Sequence, residues 1–217
     1  VNKKLRGEDG MREAPMTIAR KKEFELDHKR WSGGITTQLA IWPEDADYAS
    51  RRFDWRISSA AVEDERSTFT PLPGVHRHIM TLGGEMTLTH EGIRTRMLKP
   101  LSDVEEFEGE WRTTSVGRCT DFNLMLRAGF RGRIAPLHAA DVTTLPSAPS
   151  EVVWYGIYFT ADAKATIRYD GYRAELSQER GDFVLISYRP RLYGDVTLSL
   201  SSSSSIPAVS AAVWRGI

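Results

Sequence analysis

The sequence predicts an all-β protein built from antiparallel sandwiches or barrels, and three observations carry that expectation. Short runs of alternating apolar and polar residues recur through the 217 residues, the pattern of strands with one buried face. Glycines fall between consecutive runs, at Gly83-Gly84, Glu91-Gly92 and Asp170-Gly171, where hairpins would turn. No stretch keeps a helical hydrophobic period over three turns, although ELDHKR (25–30) has room for one short helix.

Taken in order, the opening VNKKLRGEDGMREAP (1–15) is polar, lacks an apolar signal-peptide core and is expected to be a flexible extension. The strands expected next are TTQLAIW (36–42), FDWRISSAAV (53–62), HRHIMTL (76–82), EMTLTHE (85–91), RTRMLKP (94–100) and DFNLMLRA (121–128). A second set follows: VVWYGIYFT (152–160), the hairpin ATIRYDGYRAEL (165–176), DFVLISY (182–188) and DVTLSLSS (195–202). The serine run 201–205 continues an alternating strand and reads as its polar end with a loop. The two halves repeat one plan of strand, turn, strand, loop and strand, separated by a Gly-, Pro- and Ala-rich break at 129–151. Two related β units packed together follow, over 16–130 and 131–217, so many close-spaced strands being unsuited to a parallel α/β sheet. The second unit carries no polar constellation like that of the first and is expected to be mainly structural or to serve in a homodimer.

Composition narrows the function. Lys plus Arg is 29 and Asp plus Glu is 29, so the basic excess that grips phosphate is missing and nucleic acid is not an expected partner. No apolar run has the length of a membrane span, and the single cysteine, Cys119, fits a reducing compartment, so a cytoplasmic location without membrane contact is expected. Cys119 lies in a strand-like stretch without a neighbouring base and reads as a packed apolar residue.

His76 and His78 form a His-X-His whose imidazoles face one side of a strand, which is how a metal-holding β-barrel begins its ligand set. The rest of that set is missing along the chain. Glu85 is too far and lies beyond the glycine pair, and no histidine follows Leu98-Lys99-Pro100 until His138 in the break. Two ligands make a poor zinc or iron site, so neither metal nor cofactor is expected. His90, beside a hairpin, reads as a surface residue and His28 as lying near a chain turn.

Polar residues recur instead on strands that should be core. Arg56 and Ser58 share a face opposite Trp55, Ile57 and Ser59; Arg77 starts a strand after Pro71-Leu72-Pro73-Gly74; Asp121 and Asn123 alternate with Phe122 and Leu124. A buried charge costs several kcal/mol unless paired. Such arginines therefore imply either internal ion pairs, for instance with Asp121, or a cavity for an anionic ligand, whose carboxylate the guanidinium fork matches.

Four words carry a family resemblance. They are Gly33-Gly34-Ile35-Thr36-Thr37-Gln38-Leu39, Phe53-Asp54-Trp55-Arg56-Ile57-Ser58-Ser59-Ala60, Ser67-Thr68-Phe69-Thr70-Pro71-Leu72-Pro73-Gly74-Val75-His76-Arg77, and Asp121-Phe122-Asn123-Leu124-Met125. In order and spacing the chain resembles the HutD/Ves family of bacterial double-cupin proteins over about 20–200. It departs from the family at Lys29-Arg30-Trp31-Ser32, where the Asn of a Trp-X-Asn is missing, and at Gln38, which replaces a Glu. The resemblance implies a fold of two jelly-roll barrels, association with histidine-utilisation genes, and binding of an intermediate such as urocanate or a formylated acid. It brings no established reaction, and the family does not keep histidines at positions 76 and 78.

The function expected is metal-free binding of a small anionic metabolite in the first barrel, by Thr36, Gln38, Arg56, Ser58, Arg77, Asp121 and Asn123, with Phe53, Trp55, Phe69 and Phe122 mostly packing. Three alternatives stand beside it. A small-acid isomerase or hydrolase would use Asp121 as acid or base in the same pocket. A metal cupin such as a dioxygenase would need the histidines, and an interaction scaffold would pair through sheet edges.

Overall fold

The computed structural model describes residues 16–147, 152–190 and 194–216, so the expected flexible extension over 1–15 lies outside the described residues. In chain order the strands are β1 (Met16–Lys21), β2 (Asp27–Trp31), β3 (Gly34–Trp42), β4 (Trp55–Val62), β5 (Arg66–Thr68), β6 (Val75–Gly83), β7 (Met86–His90), β8 (Arg94–Leu98), β9 (Val104–Glu108) and β10 (Thr113–Val116). They continue with β11 (Cys119–Arg127), β12 (Phe130–Leu137), β13 (Val142–Thr144), β14 (Val153–Phe159), β15 (Ala163–Tyr169), β16 (Tyr172–Gln178), β17 (Phe183–Tyr188), β18 (Thr197–Ser201) and β19 (Ala208–Arg215). Two single-turn 3₁₀ segments, Glu23–Glu25 and Tyr48–Ser50, are the helical elements among the described residues. The all-β expectation holds.

The described residues divide into two compact units, one of residues 26–134 and the other of 16–25 with those from 135 onward. In the first, a six-stranded sheet ordered β2-β3-β4-β11-β6-β9 accompanies a four-stranded sheet ordered β5-β10-β7-β8. Their inner faces meet in a core that joins Val62, Ile79, Phe107 and Cys119 of the larger sheet to Met86, Leu88 and Leu98 of the smaller. Each such large aliphatic or aromatic side chain, once out of water, contributes ~1.5–3 kcal/mol. In the second unit, a sheet ordered β1-β17-β14-β19-β12 and another ordered β13-β18-β15-β16 enclose Tyr155, Ile157, Ile167, Ile186 and Leu198.

Hairpin chemistry explains the tight turns. Asp170 and Gly171 both take positive φ, 43° and 75°, the left-handed pair that a two-residue turn between β15 and β16 requires. Gly84, between β6 and β7, has φ 76°, and a Cβ there would stand 2.4 Å from the Arg118 carbonyl oxygen, so only glycine fits.

Several sequence expectations are corrected. Residues 27–31 form the strand β2, not a helix, and every residue of it is exposed, which is why no alternation announces it. The Met16–Lys21 strand pairs with β17, Met16 opposite Tyr188 and Lys21 opposite Phe183, so residues 16–25 sit with the C-terminal unit and not the N-terminal one. The break at 129–151 contains β12 and β13, and the division between units falls within β12. His90 is 1% exposed rather than a surface residue. It follows Met86 and Leu88 on the inward face of β7, its Nδ1 2.8 Å from Thr113 Oγ1 and its ring packed on Phe107 and Trp111.

Candidate functional site

Four neighbouring strands of the 26–134 unit tile one wall of a cavity. The register sets Thr36 opposite Ala60 and Ala60 opposite Asp121; Gln38 faces Ser58, and Ser58 faces Asn123; Arg56 faces Met125, and Met125 faces Arg77. Because side chains alternate across a strand, these rows all point to one side while Trp55, Ile57, Phe122 and Leu124 point to the other. Two irregularities adjust the aim, one between Gln38 and Ala40 on β3 and one at Thr120/Asp121 where β11 meets β6. The cavity has a volume of about 350 Å³, within the small-molecule range. All seven residues expected from the sequence line it: Thr36, Gln38, Arg56, Ser58, Arg77, Asp121 and Asn123.

Both arginines are 5% exposed. Arg56 Nε donates to Gln38 Oε1 at 3.0 Å and its Nη1 donates to Ser58 Oγ at 3.0 Å. Its guanidinium lies 4.2 Å from the centre of the Tyr48 ring. Gln38 thus serves as a neutral acceptor and brings no charge to balance that of Arg56. Arg77 is held between aromatic faces, 4.8 Å from the Phe69 ring and 5.1 Å from Phe107. Its Nε, together with Asn123 Oδ1 and Ser67 Oγ, is buried without a protein hydrogen-bond partner among the described residues. Neither guanidinium is in ion-pair contact with a carboxylate among the described residues, so the reading in which they tie strands together through salt bridges is set aside.

Burial dominates the electrostatics. It lowers the Arg77 pKa to about 10, opposed by the interactions with Tyr48 and Asp121. Arg56 is lowered by the same desolvation. Burial raises the Asp121 carboxyl to about 7, although Arg77, Arg56 and the Ala60 backbone hydrogen bond all pull it down. Two guanidinium groups therefore face a single carboxyl whose charged form burial disfavours.

Sequence reasoning missed Tyr48 and Arg51, which reach the cavity from the loop between β3 and β4. That loop is shaped by the 3₁₀ turn Tyr48–Ser50, where the Asp47 side chain accepts from the Ala49 amide at 3.0 Å, an Asx cap visible in the letters Asp-Tyr-Ala-Ser. Ser67 and Ser115, from β5 and β10, were missed because those strands are short. Phe69 was assigned to packing but lines the cavity, whereas Phe53 packs with Leu72 and Val75. Cys119 is buried and its thiol is pushed up to about 12 by burial, so it is inert.

No imidazole lines the cavity, and its donor set of cations, hydroxyls and amides with Asp27 and Asp121 does not fit a divalent metal. His76 and His78 lie on β6 beside Arg77, hence on the opposite face from the cavity. Among the described residues, no helix is long and apolar enough to cross a membrane.

Comparison with known proteins gives the geometry its context. HutD from Pseudomonas fluorescens SBW25 superposes with a TM-score of 0.67 at 20% identity, covering 92% of this chain and 100% of that one. A conserved protein of unknown function from Pseudomonas aeruginosa PAO1 superposes with a TM-score of 0.70 at 22% identity, over 91% and 97% of the two chains. A mutant of Bacillus subtilis oxalate decarboxylase shares the fold with a TM-score of 0.50 at 8% identity, over 90% of this chain and 76% of that one. These likenesses establish a cupin-like all-β fold. No curated protein matches the chain. The HutD family model matches residues 23–203, and the chain belongs to the HutD family.

Proposed function

We propose that this protein binds a small metabolite through its carboxylate, in the cavity of the 26–134 unit, without a metal, and that the bound acid serves a regulatory role in histidine utilisation. One observation carries the reading: among the described residues, Arg56 and Arg77 are buried on a cavity wall with no carboxylate in ion-pair contact, and Arg77 Nε has no hydrogen-bond partner. Leaving two such charges uncompensated is costly, and an entering carboxylate would remove that cost with charge-assisted hydrogen bonds. Asn123 and Ser58 stand in the adjoining row to fix the orientation of the remainder, and the Tyr48 and Phe69 rings offer flat walls to a planar acid such as urocanate.

The test is a thermal-shift screen of small planar and formylated acids, each paired with its amide. The acid should raise the melting temperature and its amide should not. Equal stabilisation by both members of a pair would sink the carboxylate reading.

A second reading is favoured by Asp121, whose pKa near 7 suits a general acid or base in a small-acid isomerase or hydrolase. It requires product formation from a bound acid that disappears in Asp121→Asn; binding without turnover decides for the first reading.

A further inference from the structure

The face of β6 opposite the cavity carries a polar cluster that the metabolite site does not use. The register between β6 and β9 sets His76 across from Glu108 and His78 across from Glu106. His76 Nδ1 lies 2.9 Å from Glu108 Oε1, a hydrogen bond that keeps the ring proton on Nδ1 and leaves a lone pair on Nε2. That Nε2 is 3.8 Å from Glu106 Oε2. His78 Nδ1 is 3.3 Å from the other oxygen of the same carboxylate, is buried, and makes no aligned hydrogen bond. The two rings meet edge to face with centroids 4.9 Å apart. Two imidazole nitrogens and a carboxylate thus converge, and His78 Nδ1 has no hydrogen-bond partner among the described residues.

We propose that His76 Nε2, His78 Nδ1 and Glu106 form a binding site for one divalent transition-metal ion of the zinc class, with Glu108 as a positioning residue for His76. One ligand atom from each of the three lies within 4.8 Å of the others. Tetrahedral zinc, with bonds near 2.0–2.2 Å, needs its ligand atoms about 3.3 Å apart. The closure falls to the mobile partners, since the Glu106 side chain is 58% exposed and that of His76 39%, while His78 is fixed at 5%. Two nitrogens and one oxygen favour zinc, nickel or cobalt over magnesium and calcium, which take oxygen sets. The Glu108–His76 hydrogen bond supplies the carboxylate–histidine support that fixes the tautomer of a metal-bound ring. The third ligand is 28 residues beyond the second along the chain, which is why the sequence spacing, read for ligands on one or two hairpins, argued against a metal here. The site stands apart from the cavity and independently of what the cavity binds.

The alternative account of the cluster is a pair of cross-strand His–carboxylate contacts with no ion. Titration of the EDTA-dialysed 217-residue chain with Zn²⁺ by calorimetry separates the two, with Co²⁺ absorption as the report on geometry. Wild type should take up one equivalent, and Co²⁺ should give the visible bands of a tetrahedral nitrogen–oxygen site. Glu106→Gln and His78→Gln should each weaken zinc binding by about 100-fold and Glu108→Gln by about 10-fold. His28→Gln and His138→Gln should leave it unchanged. Glu106→Gln removes an exposed group, and circular dichroism will show that it still folds. No saturable uptake by wild type, or uptake that survives Glu106→Gln, overturns the proposal.

Discussion

Arg77→Met tests both the energetics and the role of the cavity in one substitution. The guanidinium pKa falls on burial from its ordinary value to about 10, so at any pH below 10 the charged form is penalised in the folded state. The folded protein binds fewer protons than the unfolded chain between those two values, so stability rises with pH across that window and the full penalty is present at neutral pH. A shift of that size corresponds to about 3 kcal/mol. Methionine, apolar and about as long as the arginine's aliphatic stem, removes the penalty but forfeits the cation–π contacts with Phe69 and Phe107, roughly 1 kcal/mol each. The unliganded variant is therefore expected to be about 1 kcal/mol more stable than wild type, a rise of about 2–4 °C in melting temperature for a chain of this size. In the same sample the charge-assisted hydrogen bond to the acid disappears, weakening binding by about 1.5–3 kcal/mol. That is roughly 10–150-fold in Kd. Differential scanning calorimetry with and without the acid reads both numbers. A melting temperature several degrees lower, combined with an undiminished ligand shift, would show Arg77 to be a structural strut and refute the reasoning.

Asp121, with its carboxyl raised from 3.8 to about 7, holds its proton longer in the folded state than in the unfolded chain. Stability therefore falls as pH rises from about 4 to about 7, by an amount on the order of 4 kcal/mol, and Asp121→Asn should flatten that slope in urea melts across the range. Acid binding should also weaken as pH passes 7 in wild type and not in Asp121→Asn, measured by calorimetry in matched buffers. Asp182, 1% exposed, accepts from Lys22 Nζ at 2.8 Å, Gln178 Nε2 at 3.2 Å and the Glu179 amide at 2.9 Å. Asp182→Ala strands those donors at the turn into β17 and should cost about 3 kcal/mol in urea unfolding. Cys119, buried with its thiol near 12, should react with a thiol reagent only in denaturant; rapid reaction of the folded protein would contradict its placement.

How much of this was legible in the sequence depends on how local the cause was. The strands that bury one face were plain, because alternation is a property of each segment alone. DFNLMLRA announces β11 and the split of Asp121 and Asn123 from Phe122 and Leu124. β2 was invisible for the converse reason: as an exposed edge strand it has no buried face to mark. His90 was misplaced because proximity to a hairpin was weighed above the parity of β7, which puts it in line with Met86 and Leu88. Tyr48 and Arg51 enter the cavity from a loop, where no periodicity assigns a direction.

The chain by itself determined the all-β class, the turns at Gly84 and Asp170-Gly171, and the pairing of Arg56 with Ser58 and of Asp121 with Asn123 on one face of their own strands, since each follows from the two-residue period of a strand or the φ demands of a turn. The tertiary structure alone decided what those residues meet. It set Gln38, not a carboxylate, beside Arg56, and placed Arg77 between Phe69 and Phe107. It sent Met16–Lys21 to β17 and brought Glu106 and Glu108 across to His78 and His76. Register between strands distant in sequence arises from the packing of whole faces, and no short window of residues contains it.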